Sequence, residues 1–142
     1  MSFLLDTNVV SEAMAASPAA EVVVWIDAQP MGSIHLSVVT VGEIEFGIAQ
    51  LPDGSKRERL QAWRDELVRL VGRRVLPIDL RVANAWATIR AAAKAAKCTM
   101  PPIDALIAAT AEVHGLTLAT RNVKDFAAWA GPTFNPWVGA EN

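Results

Sequence analysis

Phe3-Leu4-Leu5-Asp6-Thr7-Asn8 is the stretch on which the fold turns: three apolar residues read as a short buried strand, ended at once by a carboxylate. A short apolar run followed by a helical pattern then recurs along the chain. Ile34-His35-Leu36-Ser37 reads as a second strand, followed by a helix to about Gln50. Val75-Leu76-Pro77-Ile78 is a third, and its proline, unable to donate to a ladder, points to a sheet edge or a strand end. Leu116-Thr117-Leu118-Ala119-Thr120 is a fourth.

Helical signals fill the intervals. Ser17-Pro18 opens one helix, with serine as cap and proline at the first helical position. Ser55-Lys56-Arg57-Glu58 has capping-box spacing and starts a polar-faced helix to about Val71. Asp79 can cap the next, in which Val82, Trp86, Ile89 and Ala93 share one face. Pro101-Pro102 forces a break before a helix from Ile103 to His114, closed by Gly115 where left-handed geometry is wanted. Phe126–Ala130 reads as a last short helix. This alternation predicts an α/β fold, a three-layer α/β/α domain with a mainly parallel central sheet. Ligands of such sheets bind beyond the carboxyl ends of the strands.

The 142 residues fit one domain, 1–142, of a size that buries roughly 70% of its unfolded-chain surface. With 52% hydrophobic and 20% charged residues, the chain has material for a core and apolar surface left for a partner. A net charge of −2 excludes bulk electrostatic binding of nucleic acid, so any such site must be a local patch. The single Cys98 excludes an internal disulfide, suits a reducing compartment and is expected to pack as a small hydrophobe. The first residues carry no basic leader, and no run approaches the ~18 apolar residues of a membrane span. A cytoplasmic protein without a membrane partner is expected.

Four side chains are placed by the topology near one end of the sheet. Asp6 directly follows the first strand, and Asn122 stands two residues after the Leu116–Thr120 strand. Glu43 lies in the helix after the second strand, and Asp104 in the first turn of the helix opened by the prolines. Three converging carboxylates repel unless something neutralises them. Oxygen ligands without clustered cysteine or histidine select a hard cation, magnesium or manganese, over zinc. Such an ion lowers the pKa of bound water and stabilises charge on a phosphoryl oxygen, which suits phosphodiester hydrolysis. On spacing alone, Asp6 and Asp104 can equally serve as helix caps.

The flanking residues carry a resemblance. Leu5-Asp6-Thr7-Asn8-Val9-Val10-Ser11-Glu12, Ser37 to Ile48 around Glu43, Pro102-Ile103-Asp104-Ala105-Leu106-Ile107, and Leu118 to Phe126 around Asn122 are similar, in order and spacing, to the four motifs of PIN domains. The likeness runs from about Leu4 to Trp137, and Phe134-Asn135-Pro136-Trp137 resembles the FitB-like subgroup of VapC toxins. The resemblance implies a magnesium-dependent ribonuclease, with manganese as substitute, acting on RNA as the toxin of a type II toxin–antitoxin pair. It implies inhibition by a cognate VapB-like, DNA-binding antitoxin; the low charge fraction and the aromatic tail point to a homodimer. Carried over, Asp6, Asp104 and Glu43 are metal ligands and Asn122 completes the catalytic set, departing from the fully acidic pattern. Asp125 either shares that face or caps a helix. Thr7 is expected to hydrogen-bond a carboxylate or to cap the strand end, and Arg121 to contact a phosphate.

Other residues read as scaffold. Trp25, Trp63 and Trp86 fit helix faces; Trp129 and Trp137 suit core or interface; Glu45 suits a surface charge or an antitoxin arginine. A haloacid-dehalogenase-type phosphatase also places an aspartate after its first strand, but needs a second one where this chain has Asn8. The non-enzyme alternative is a catalytically decayed PIN scaffold acting by protein binding, for which Asn122 is the sole support.

Overall fold

In the computed structural model, which describes residues 1–138, Phe3–Leu5 forms β1 at the centre of a five-stranded sheet. Ile34–Ser37 (β2), Val75–Leu76 (β3), Thr117–Ala119 (β4) and Thr133–Phe134 (β5) complete it in the order β3-β2-β1-β4-β5. Every neighbouring pair is parallel. Residues 139–142 of the expected 1–142 domain lie outside the described residues.

The helices are Thr7–Met14 (α1), Ala20–Ala28 (α2), Val38–Ala49 (α3), Ser55–Val71 (α4), Leu80–Ala95 (α5) and Pro102–Val113 (α6). Successive strand side chains face opposite sides of a sheet, so the unbroken run Phe3-Leu4-Leu5 serves two layers at once. Phe3 and Leu5 join a buried cluster with Val9, Val22, Leu36 and Ile44, covered by Leu60 and Trp63 of α4. Leu4 joins the opposite cluster with Val82, Ile89, Ile107, Leu118 and Phe126. Helices α1 to α4 therefore cover one face and α5 and α6 the other, the three-layer α/β/α arrangement. Leu4 is wholly buried, and burying such a side chain contributes about 2 kcal/mol.

Pro77 ends β3 at the sheet edge, as its missing N–H requires. Asp79 caps α5 by accepting from the Val82 N–H at 3.0 Å, and Gly115 takes φ +64° after α6. Other expectations needed correction. Asp6 does serve as a helix cap, as its spacing allowed, and the helix it caps, α1 from Thr7, was not among the expected ones. The Ser17-Pro18 helix begins only at Ala20, capped by no side chain, and Ser55 is the first residue inside α4 rather than its cap, which is Gly54. The last helix is a single 3-10 turn over Val123–Phe126, and β5 follows it. Cys98 is exposed rather than packed. Among the described residues no helix is long and apolar enough to cross a membrane.

The strand order sets the site. From β1 the chain steps outward to β2 and β3, then returns to the other side for β4 and β5. The carboxyl ends of β1 and β4 thus form the switch point, where the connections diverge and leave a crevice.

Candidate metal centre

Asp6 stands at this switch point. Its N–H donates to the Ala119 carbonyl at 2.9 Å, prolonging the β1–β4 ladder by one bond. Its carboxylate is divided between two tasks: Oδ1 accepts the Thr7 N–H at 2.8 Å, capping α1, and Oδ2 accepts the Thr120 hydroxyl at 2.8 Å. The Asn8 amide lies 3.4 Å from the same Oδ2. Asp6 is only 8% exposed. Burial raises its pKa, against the lowering effect of the Thr120 and Thr7 hydrogen bonds, and the charges of Glu43 and Asp125 raise it further. The capping role and the place in the crevice hold together.

Glu43 projects from α3, which Ser37 starts by accepting the Val39 N–H at 3.0 Å. The Thr7 hydroxyl donates to Glu43 Oε1 at 2.6 Å and lies 3.1 Å from the hydroxyl of the buried Thr40. Thr7 thus bonds a carboxylate; it is the first residue of α1 and not a strand-end cap. Asp104 occupies the first turn of α6, behind Pro102 at the first helical position. A helix N-terminus ordinarily favours a carboxylate. Here the pKa of Asp104 is instead raised to about 6, by burial first and then by the charges of Asp6, Asp125 and Glu43. Asp104 therefore lies within the field of all three, and burial together with these like charges raises its pKa at the helix start.

Asn122 is exposed, and its N–H donates to the Thr120 hydroxyl oxygen at 3.1 Å. Asp125 lies in the 3-10 turn, its N–H bonded to the Asn122 carbonyl at 2.9 Å; Asn122, with no side-chain bond, holds the cap position. The charge of Asp125 acts on both Asp6 and Asp104, which the neutral Asn122 cannot do. Arg121 is exposed with its guanidinium 5.1 Å from the centre of the Trp137 ring, and its N–H donates to Asn8 Oδ1 at 3.3 Å. Glu45 faces away from these groups and pairs with Arg64 of α4 at 2.6 Å.

Sequence reasoning missed Thr120, Asn8 and Thr40. Thr120 is fully buried, and its signal was positional. Ala119 is the register partner of Leu5, so the next residue on each strand, Thr120 and Asp6, must meet. That follows only once β1 and β4 are known to be neighbours.

Among the described residues no three Asp, Glu, His or Cys side chains stand gathered as a ready ligand cluster. Two carboxylates are turned onto hydroxyls, Asp6 onto Thr120 and Glu43 onto Thr7, which eases their mutual repulsion. The donor chemistry fits a hard divalent cation: oxygen atoms only, on carboxylates whose charges, after burial, raise the pKa of Asp104.

A parallel α/β domain with carboxylates crowded at the switch point of its sheet is the class that fold and site define. The PIN-domain profile matches residues 3–131, and the chain belongs to that family. It is 40% identical to the VapC ribonuclease Y4jK of Sinorhizobium fredii, over 96% of this chain and 99% of that one. It is also 40% identical to the toxin FitB of Neisseria gonorrhoeae, over 94% of this chain and 97% of that one. The solved structure of FitAB bound to an IR36 DNA fragment superimposes with a TM-score of 0.92 at 38% identity, covering 99% of this chain and 98% of the other.

Proposed function

We propose that this chain, a single PIN domain over residues 1–142, is the toxin of a type II toxin–antitoxin pair. In this reading it hydrolyses RNA phosphodiester bonds with magnesium, or manganese, held by Asp6, Asp104 and Glu43. The observation that supports the reading is the mutual influence of these carboxylates: burial first, and then the charges of Asp6, Asp125 and Glu43, raise the pKa of Asp104. The ribonuclease and toxin names of full-length relatives support it.

The bound cation supplies charge neutralisation at the phosphoryl group and a more acidic water. The chain's own residues orient the ligands. Thr120 and Asn8 fix the Asp6 carboxylate, Thr7 fixes Glu43, and α6 carries Asp104 to the crevice. In this reading Asn122 supplies a neutral oxygen to the set, and Asp125, whose charge acts on Asp6 and Asp104, a charged one. Arg121 stands next to Asn122, where a phosphate could draw its guanidinium off Trp137.

For partners we propose a VapB-like, DNA-binding antitoxin and a second copy of this chain. A largely apolar groove of about 390 Å³ between α1, α3 and α4 is lined by Met14, Ile44, Ile48 and Leu60 and reaches Glu43. An amphipathic antitoxin segment lying there could bring an arginine onto the carboxylates. A cytoplasmic setting keeps the exposed Cys98 reduced.

Thermal unfolding with and without magnesium tests the metal reading against the scaffold alternative. A stabilisation that rises with magnesium concentration, and that disappears in Asp104→Ala, is expected. A melting temperature indifferent to magnesium and manganese favours the scaffold.

A further inference from the structure

The chain is mildly acidic, so a nucleic-acid substrate must meet a local basic patch. Residues 80–103, which comprise α5 and the segment leading into α6, carry Arg81, Arg90, Lys94 and Lys97 and no acidic residue. Among the described residues, Arg90, Lys94 and Lys97 have no carboxylate partner, whereas Arg57, Arg64, Arg69 and Arg81 each do. A cavity of about 420 Å³ opens at this place, lined by Arg90, Lys94, Thr99 and Met100.

This cavity is tied to the acidic crevice. The segment that lines it, Cys98 to Met100, runs directly into Pro101-Pro102, and Asp104 follows in the first turn of α6. The Trp86 indole N–H donates to the Pro102 carbonyl at 3.1 Å, and the Arg90 guanidinium lies 4.9 Å from the centre of that indole ring. Trp86 thereby holds Arg90 beside the helix end that carries Asp104. A guanidinium held on an aromatic face loses less freedom when it binds a phosphate than one moving freely in solvent.

We infer that the Arg90–Lys94 cavity is a substrate-positioning subsite that takes the sugar–phosphate backbone of single-stranded RNA and delivers the strand to Asp104. Its occupant is an anion strand and not a purely apolar segment, because the lining carries two cations without a carboxylate partner, Arg90 and Lys94, and no acidic residue opposes them. The inference rests on the ribonuclease reading and adds the residues that hold the substrate. Arg90 and Lys94 are positioning residues: they act on binding and leave the chemical step to the carboxylates.

The test compares the unsubstituted chain with the Arg90→Ala/Lys94→Ala double variant and with the charge-preserving Arg90→Lys/Lys94→Arg pair. Cleavage of a labelled single-stranded RNA gives kcat and KM. Binding of the same RNA in chelator, measured by anisotropy over a range of salt, gives the number of phosphate contacts. Both residues are exposed, so neither exchange disturbs the core. The alanine pair should raise KM and Kd about tenfold, leave kcat within about twofold, and flatten the salt slope by roughly 1.4, the value for two lost contacts to a single strand. The charge-preserving pair should keep most of the slope. RNA cleaved by the unsubstituted chain, with KM and salt slope the same in the alanine pair, overturns the subsite alone. RNA neither bound nor cleaved by the unsubstituted chain overturns both readings.

Discussion

The Thr120 hydroxyl donates to Oδ2 of Asp6 at 2.8 Å, joining the ends of two adjacent strands whose residues lie 114 positions apart in sequence. Both partners are buried, and the same hydroxyl oxygen accepts the Asn122 N–H at 3.1 Å. One side chain thus fixes the deepest carboxylate of the site and the loop that follows β4. Thr120→Val preserves shape but leaves a buried carboxylate oxygen with one weak contact and the Asn122 N–H with none. The expected loss is about 1–3 kcal/mol in urea unfolding at neutral pH. Thr120→Ser should recover most of it. A valine variant as stable as the parent would show that this bond has no structural weight.

A pH dependence follows from Asp104, whose pKa is about 6 in the folded protein and near 4 when unfolded. The folded state holds its proton more tightly, so between these values it binds more protons than the unfolded chain. Stability of the metal-free protein therefore falls as pH rises from about 4 to about 6, and this contribution is constant above. The group is half-exposed, so after discounting for solvent screening we expect about 1 kcal/mol. Asp104→Asn should be the more stable form above pH 6 in chelator, and the two should converge near pH 4. Parallel stability curves for the two proteins would sink this account of the crowded site.

Asn122 supplies no charge where the fully acidic pattern has one. With Asn122 in the proposed set, Asn122→Asp adds a carboxylate to Asp6, Asp104 and Glu43, and should tighten manganese binding about tenfold, ~1.4 kcal/mol. Metal-free stability should fall slightly, because the added charge repels the others. Calorimetric titration decides: unchanged affinity and stoichiometry would place Asn122 outside the site and leave Asp125 as the fourth group.

Gly131 is required by close approach. A Cβ at this position would stand 1.9 Å from the ring of Trp129, which is buried and donates from Nε1 to Glu112 at 3.1 Å. The indole cannot withdraw without losing that bond and its packing. Gly131→Ala should cost about 1–3 kcal/mol by thermal or urea unfolding, with little effect on metal binding. A variant of parental stability would mean that the segment after the 3-10 turn shifts freely.

The readable parts of the chain were those with a local cause. Strands β1 to β4 announced themselves as short apolar runs, Asp79 and Gly115 as chain punctuation, and the edge position of β3 through Pro77. What escaped had tertiary causes. Helix α1 was not drawn, although Asp6 was open to reading as a helix cap, because the same residue also reads as the end of a strand. β5 is two residues long and exists by pairing with β4, and it draws Phe134 onto Trp25 at 5.2 Å between ring centres. Of the proposed ligands, Asp6 was placed by its position after a strand, Asp104 by the first turn of its helix, and Glu43 by the helix that follows β2. Thr120 was not, because only the β1–β4 register brings it to Asp6, and Asn8, two residues along the chain, reaches that carboxylate only because α1 starts at Thr7. Arg90 and Lys94 carry no motif and were legible only as charge.

The central claim is that RNA is cut at a divalent cation held by Asp6, Asp104 and Glu43. It is tested most directly by cleavage of a labelled RNA by the purified chain in magnesium or manganese, in excess chelator, and with Asp6→Ala and Asp104→Ala. The predicted result is cleavage with either metal, its disappearance in chelator and its return when metal is restored. Both variants should be inactive while folded, with Asp104→Ala at least as stable as the parent at neutral pH because a repelled carboxylate is gone. Undiminished cleavage in chelator, or near-parental turnover in either variant, with contaminating nuclease excluded by an identically purified blank, would contradict the account.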